Sequence, residues 1–494
     1  MLAMEGIAGT YGITDFSLVK KMLAKLVHRG PKQIDLYSDE GVSLGARRTS
    51  APTARKTPAI AQGEGVAVAS DSYMFNKEFL RRTIAPSLAP GASDAELVLA
   101  MYNSIGPRML SYIDGAYAVV VVDRGKTLLA RDPYGLKPLY ISGSERNGAY
   151  SSEMKSQMMY SDVFQPFPPG RMFTTGEGFK KIVRRAVEWS NGELPREPCD
   201  QVRALLISSV QACAEESRGL NILLSGGIDS SVVAAAAAEI SSDIRTVCVG
   251  MDDSEDLRMA RLVSRHLGTK HTEGVFGVDD MLKVLDQAIY YAESFDYPLV
   301  RSCIPNFMAA HMFTHKDRVT LCGEGGDEIF AGYDFLRGVK GNERLRKERM
   351  ALLATGHLTG FQRVDRMTAS ASLDGRMPLM SNDIIACGLK LDRKELIGPK
   401  DNQAKLVLRK AFEDLLPHEV VWRRKRRFSE GAGSINSLIK FAETSISNEE
   451  LEKARKKLPS GRLRTKEELL YFRAFERHFP SASAISAVGL TLKP

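Results

Sequence analysis

Ser225-Gly226-Gly227-Ile228-Asp229-Ser230-Ser231 follows the apolar run Asn221-Ile222-Leu223-Leu224 and precedes the alanine-rich stretch Val232 to Ala238. The two glycines let backbone approach oxyanions closely, the serines donate hydroxyl hydrogen bonds, and a helix starting there turns free N–H groups and its positive dipole end to the same point. Such a loop suits phosphate. It lacks the lysine of the GxxxxGK[ST] loop, which excludes that machine. A second cluster, Cys322-Gly323-Glu324-Gly325-Gly326-Asp327-Glu328-Ile329-Phe330-Ala331-Gly332-Tyr333, follows the apolar Val319-Thr320-Leu321. Asp229 and Asp327 are hard carboxylates beside a Gly/Ser cradle, a pairing that predicts Mg²⁺ bridging phosphate oxygens of a bound ligand.

The elements that must position these loops alternate. Leu220 to Leu224 reads as a strand, Ser230 to Ile240 as a helix, Thr246 to Gly250 as a strand and Leu257 to Leu267 as a helix. A further strand, a helix at Asp279 to Glu293 and a strand at Val319 to Cys322 follow. This is the sequence form of a parallel sheet with crossover helices. From about Phe335 the chain reads as mostly helical. The front differs: Gly65 to Ala69, Ala116 to Val122 and Leu128 to Ala130 are short strand-like runs, with a helix at Asp94 to Met101, which predicts stacked sheets. Ser190 to Pro198 carries a Gly and two Pro among polar residues and reads as a linker. Two domains are expected, over 1–188 and 201–480.

Composition narrows the class. The 494 residues are 44% hydrophobic and 26% charged, with no sustained apolar run near ~18 residues and no signal peptide, so a cytoplasmic enzyme without a membrane span is expected. The six cysteines have no CxxC spacing, which fits reduced thiols rather than disulfides or zinc. His311 and His315 fall on one helical face without the acidic base of a zincin. A net charge of +8 is spread among 60 acidic residues except at Arg423 to Arg427, so no nucleic-acid partner is expected. That basic run reads as a solvated face apart from Lys425. Asp252, Asp253, Glu255 and Asp256 follow a strand and leave a metal cluster and an N-terminal helix cap both open.

The Ser-Gly-Gly-x-Asp-Ser-Ser loop resembles the pyrophosphate loop of ATP pyrophosphatases, which split ATP between its α- and β-phosphates. The 322–333 cluster resembles the Gly-Glu-Gly-x-Asp-Glu-x-Phe-x-Gly-Tyr signature of asparagine synthetases. Further matches run through Val364-Asp365-Arg366-Met367, Arg376-Met377-Pro378, Leu416-Pro417 and Trp422-Arg423-Arg424-Lys425 with Phe428-Ser429-Glu430-Gly431. The resemblance implies that Ser225, Gly226, Gly227, Asp229 and Ser230 hold ATP, with adenine on backbone around Leu223, Val249 and Gly323. It also implies that Lys425 is an active-site lysine and Glu324 the catalytic carboxylate that receives ammonia.

The front resembles a class II glutamine amidotransferase domain of the N-terminal-nucleophile fold. His28-Arg29-Gly30-Pro31, Asp114-Gly115-Ala116-Tyr117-Ala118, Ala130-Arg131-Asp132-Pro133-Tyr134-Gly135-Leu136-Lys137 and Ser152-Glu153-Met154-Lys155 carry the likeness. Its chemistry departs from the family pattern. The family opens Met-Cys-Gly-Ile-Ala-Gly, whereas this chain reads Met4-Glu5-Gly6-Ile7-Ala8-Gly9, and the family's oxyanion-holding Asn-Gly aligns with Asp71-Ser72. Arg48 and Asp94, which match the residues that grip glutamine, remain as a vestigial glutamine site. Beta-lactam synthetase combines a front domain without its cysteine with a ring-closing back domain, but has tyrosine where this chain has Glu324. The expected activity is an AMP-forming amide ligase using ATP, Mg²⁺ and ammonia on a carboxylate, with aspartate as the default. A ligase for another carboxylate and a non-catalytic paralogue stay open, as does a homodimer. Asp374-Gly375-Arg376-Met377-Pro378-Leu379-Met380 departs from the family's Glu-x-Arg-x-Pro-Phe-Leu-Asp, which leaves the carboxylate substrate open.

Overall fold

The computed structural model describes residues 5–49, 58–183, 195–215, 217–252, 254–399, 403–424 and 435–491. Two six-stranded antiparallel sheets form the front. One runs in the order Gln165–Pro166, Tyr140–Gly143, Gly148–Ser151, Glu5–Tyr11, Val42–Arg48, Gln33–Asp39. The other runs Gly178–Lys181, Arg171–Thr174, Lys126–Arg131, Gly115–Asp123, Val66–Met74, Ile60–Gly63. Period-two alternation explains why strand Gly115–Asp123 is apolar almost throughout. Ala118, Val120 and Val122 pack toward Ile7 and Leu44 of the first sheet. Tyr117, Val119 and Val121 pack with Leu97, Val98 and Met101 of helix Asp94–Ile105. Both faces are buried, so neither is polar.

In the back half, five parallel strands run in the order Lys270–Val275, Ile244–Gly250, Leu220–Leu223, Val319–Leu321, Asp374–Arg376. The first strand in sequence is central. The next two lie on one side of it and the last two on the other, so the order reverses between Leu220–Leu223 and Val319–Leu321. At such a switch point the loops leaving adjacent strands diverge and open a crevice at their carboxyl ends. The loops that leave here are the two clusters picked out by chemistry, residues 224–227 and 322–325. The helices agree with the alternation read from sequence, at Ile228–Ala238, Glu255–Leu267 and Val278–Ala292. Helix Tyr297–Met312 was not anticipated. Nor was strand Asp374–Arg376, which has no apolar run. It is buried through an ion pair between Arg376 and Asp374 at 2.8 Å. Among the described residues no helix is long and apolar enough to cross a membrane, and all six cysteines are free.

The two halves meet through buried charge. Arg29, fully buried, contacts Asp71 at 3.2 Å, Glu153 at 2.5 Å and Asp365. Lys137 pairs with Asp71 at 3.0 Å, and Arg366 pairs with Glu153 and Glu293, both at 2.8 Å. The Glu293 carboxylate also accepts the backbone N–H groups of Met154 and Lys155. Burial alone would raise the Glu153 carboxyl, yet His28, Lys155, Arg29 and Arg366 hold it well below the usual glutamate range. The front strings around residues 28, 137 and 153 and the back string Val364 to Met367 thus interlock. Charges removed from water are tolerated only when each has several partners, and loss of one leaves the others uncompensated. Arg29→Met should therefore destabilise the chain by about 3–5 kcal/mol, read as a lowered urea midpoint.

Candidate active site

Gly226 has φ +66°, and a Cβ on it would lie 2.5 Å from the Ala260 backbone nitrogen in helix Glu255–Leu267. Only glycine meets both demands. Gly227 then leads into helix Ile228–Ala238, with Asp229 in its first turn. The loop is held by its own serines: Ser225 N donates to Ser230 Oγ at 3.2 Å, and Ser230 Oγ donates to Gly227 O at 3.2 Å. From the neighbouring strand, Gly323 comes so close that a Cβ there would lie 2.6 Å from Ser230 N. A Cβ on Gly326 would overlap the Asp229 carboxylate.

One cavity of about 290 Å³ opens over this junction. Leu223, Ser225, Gly227, Asp229, Ser230, Val249, Gly323, Glu324 and Asp327 all line it. Gly226 is not among its lining residues; its part is conformational. Lys425 lies outside the described residues; Arg423 and Arg424 also line the cavity. Arg423 does not belong to a solvated face. Its side chain is 8% exposed and pairs with Glu255 at 3.1 Å and Asp256 at 2.6 Å. Those two carboxylates are therefore ion-pair partners, and the cap of their helix is Ser254, whose hydroxyl accepts from Leu257 N.

Lys405 is a functional candidate that the sequence did not single out. It is 2% exposed, has φ +61°, and places Nζ against both Asp229 and Asp327, the latter at 2.5 Å. Burial would depress its ammonium, but the two carboxylates hold it above the ordinary lysine value. Nothing in residue type or spacing marks it, because its partners are remote in sequence. Glu324 is joined to Arg363 at 2.6 Å. Among the described residues no group of three or more His, Cys, Asp or Glu side chains could hold a metal. The donor set beside the loop is the Asp229–Asp327 pair, which the Lys405 ammonium bridges; one or two carboxylates plus substrate phosphates are the donors that Mg²⁺ commonly takes.

In the front half, Glu5 pairs in register with Arg48 across adjacent strands, and its carboxylate lies 3.7 Å from the guanidinium. Its backbone N–H donates to Asp71 at 3.3 Å. Asp94 accepts from Ser72 Oγ at 3.0 Å and pairs with Lys77 at 2.9 Å. The two residues matching the glutamine grip thus each have a charged partner within the chain. Burial pushes the Glu5 carboxyl well above its ordinary value, against the opposing pull of Arg48, and Asp71 and Asp94 add to the rise. A carboxyl raised in the fold resists an ionisation that the unfolded chain undergoes freely. Its cost to stability is therefore absent below the usual glutamate value and grows as pH rises above it, levelling off past the folded value. Glu5→Gln should be more stable than the parent at neutral pH, and the gain in urea midpoint should shrink as pH falls toward the usual glutamate value.

Comparison with known proteins accords with this geometry. The family model "Asparagine synthase" matches residues 201–358 and 337–489, and "Glutamine amidotransferase domain" matches residues 4–167. Glutamine-hydrolyzing asparagine synthetase 2 of Arabidopsis thaliana is 30% identical, over 98% of this chain and 89% of the relative. Glutamine-hydrolyzing asparagine synthetase 1 of the same plant is 29% identical, over 97% and 88%. The glutamine-hydrolyzing asparagine synthetase of Zea mays is 28% identical, over 98% and 88%. With the synthase region matched over more than half its length and a glutamine amidotransferase domain in front, the chain belongs to the asparagine synthase family.

Proposed function

We propose that the chain is an ATP-dependent amide ligase that adenylates a carboxylate, aspartate by default, and passes ammonia to the acyl-adenylate without hydrolysing glutamine. The observation that carries this reading is the convergence of Asp229, Asp327, Lys405 and Glu324 on one cavity at the start of a helix. In the first half-reaction a substrate carboxylate oxygen bonds to the α-phosphorus, and the bond from that phosphorus to the bridging oxygen breaks, releasing pyrophosphate. The Ser225–Gly227 backbone, Lys405 and Lys425 offset the negative charge that builds on the phosphates. Mg²⁺ held by Asp229 and Asp327 would supply further charge neutralisation on the same oxygens. In the second half-reaction ammonia bonds to the acyl carbon, the carbon–oxygen bond to AMP breaks, and the released proton passes to Glu324.

The front domain's loss of glutaminase activity rests on Glu5 and Asp71. A buried carboxylate does not replace a thiolate with its own α-amino base, and a second carboxylate stands where an oxyanion would need donors. The purified protein should form no glutamate from glutamine at a rate comparable with ammonia-dependent amide formation, and such a rate would remove this part of the reading.

Two variants should separate the half-reactions. Lys425→Ala should lower carboxylate-dependent pyrophosphate release by about 10²–10³-fold. Glu324→Gln should slow amide formation while pyrophosphate is still released. Asp229→Ala should lose pyrophosphate release together with its Mg²⁺ dependence. If Lys425→Ala adenylates normally and fails only when ammonia is supplied, the two roles are reversed.

A further inference from the structure

Residues 488–491 lead from helix Ala482–Ala487 to the wall of the synthase cavity, where Thr491 joins the lining. Two arginines in the turn before helix Lys466–His478 strap this segment down. Arg462 donates to Ser486 O at 3.1 Å and to Val488 O at 2.6 Å, and Arg464 donates to Thr491 O at 2.7 Å. Thr491 then locks onto the fully buried Asp296, its N–H donating to Oδ1 at 2.9 Å and its hydroxyl to Oδ2 at 2.7 Å. Asp296 caps helix Tyr297–Met312 by accepting from Leu299 N. Arg464 completes the joint, pairing with Asp296 at 2.6 Å and lying 4.6 Å over the Tyr297 ring. Gly489, two residues before Thr491, passes so near Leu358 that a Cβ on it would overlap the Leu358 Cβ and lie 2.9 Å from the Leu358 carbonyl oxygen. Leu358 stands just before helix Gly360–Ser370.

Both helices line the cavity at their starts, with Pro298, Leu299 and Ser302 from one and Thr359, Gly360 and Arg363 from the other. One short segment therefore pins two walls together. The N–H and hydroxyl hydrogen of Thr491 are both given to Asp296, so it has no donor left for a ligand and its contribution to the cavity is bulk. A wall that fills space without offering donors excludes water, and an acyl-adenylate needs that exclusion because water attacks the same carbon as ammonia.

We propose that residues 488–491 seal the cavity against water once the carboxylate is adenylated, with Thr491 and Asp296 as positioning residues that hold the two wall helices together. The inference rests on the adenylation reading above and goes beyond it, from how the intermediate forms to what protects it. In the side reaction that the seal suppresses, a water oxygen bonds to the acyl carbon, the carbon–oxygen bond to AMP breaks, and the water's protons go to solvent. The carboxylate is regenerated, and ATP has been split to AMP and pyrophosphate without an amide.

The test counts pyrophosphate released per amide formed at saturating ATP, aspartate and ammonium, and repeats the count without ammonium in H₂¹⁸O. Wild-type protein should release pyrophosphate and form amide in equal amounts, and should release little pyrophosphate when ammonium is withheld. Thr491→Val keeps the shape and the backbone N–H but loses the hydroxyl bond to Asp296. It should raise ammonium-independent pyrophosphate release by about 2–10-fold, the range expected for one hydrogen bond, with ¹⁸O appearing in the recovered aspartate. Thr491→Ser keeps both bonds and should return release to the wild-type level. Gly489→Ala, outside the cavity lining, should leak in the same direction by pushing the segment off Leu358. A purely structural role would lower both reactions together and leave pyrophosphate per amide unmoved, and that result in both variants would overturn the proposal. So would extra pyrophosphate with no label in aspartate. Wild-type protein that releases pyrophosphate freely with aspartate and no ammonium would also overturn it, needs no variant and leaves the adenylation reading standing. Absence of pyrophosphate release with every carboxylate would instead overturn the adenylation reading, and this inference with it.

Discussion

A Cβ at position 323 would lie 2.6 Å from the backbone nitrogen of Ser230, so the loop leaving one strand meets the helix leaving its neighbour backbone to backbone. That approach fixes the separation of Asp229 from Asp327 and admits Lys405 between them. It is possible only because strands Leu220–Leu223 and Val319–Leu321 are adjacent and parallel at the point where the sheet order reverses. Glycine at 323 and 326 follows from that constraint, and the phosphate-suited loop is its chemical consequence.

The second determinant is the buried ion network between the halves. Asp71 of the front half is tied through Arg29 and Lys137 to Asp365. Asp365 lies on the same helix as Arg363, which holds Glu324. The front half is thus joined to the helix that lines the synthase cavity by charges whose removal from water makes each dependent on the others. The front half has a physical role in the fold beside any chemistry of its own: it satisfies the charged edge of that helix.

Much of the site was legible because its chemistry requires consecutive small residues. Ser225 to Ser231 announced a strand, a turn and a helix start, and Gly323 to Asp327 a second loop; the parallel sheet followed from the alternation of apolar runs. Lys405 was not legible, since a single lysine 176 residues from Asp229 acquires meaning only when the chain folds. Strand Asp374–Arg376 escaped notice because an ion pair, not an apolar side chain, makes it burial-competent. Arg423 was misread as solvated because its partners Glu255 and Asp256 lie on a distant helix. The strings around Arg29, Lys137 and Glu153 were visible as a resemblance, but their physical role emerged only once they faced Asp365 and Arg366.

In the proposed reaction the cavity joins a carboxylate to AMP before nitrogen arrives. The most direct measurement supplies the substrate with its reacting carboxyl labelled with ¹⁸O and follows the label by mass spectrometry of the nucleotide products. An acyl-adenylate loses its carboxyl-derived bridging oxygen to AMP when ammonia attacks carbon, so AMP should acquire one labelled oxygen per amide formed. Label in inorganic phosphate with ADP as the nucleotide product, or amide formation that leaves AMP unlabelled, would contradict the account.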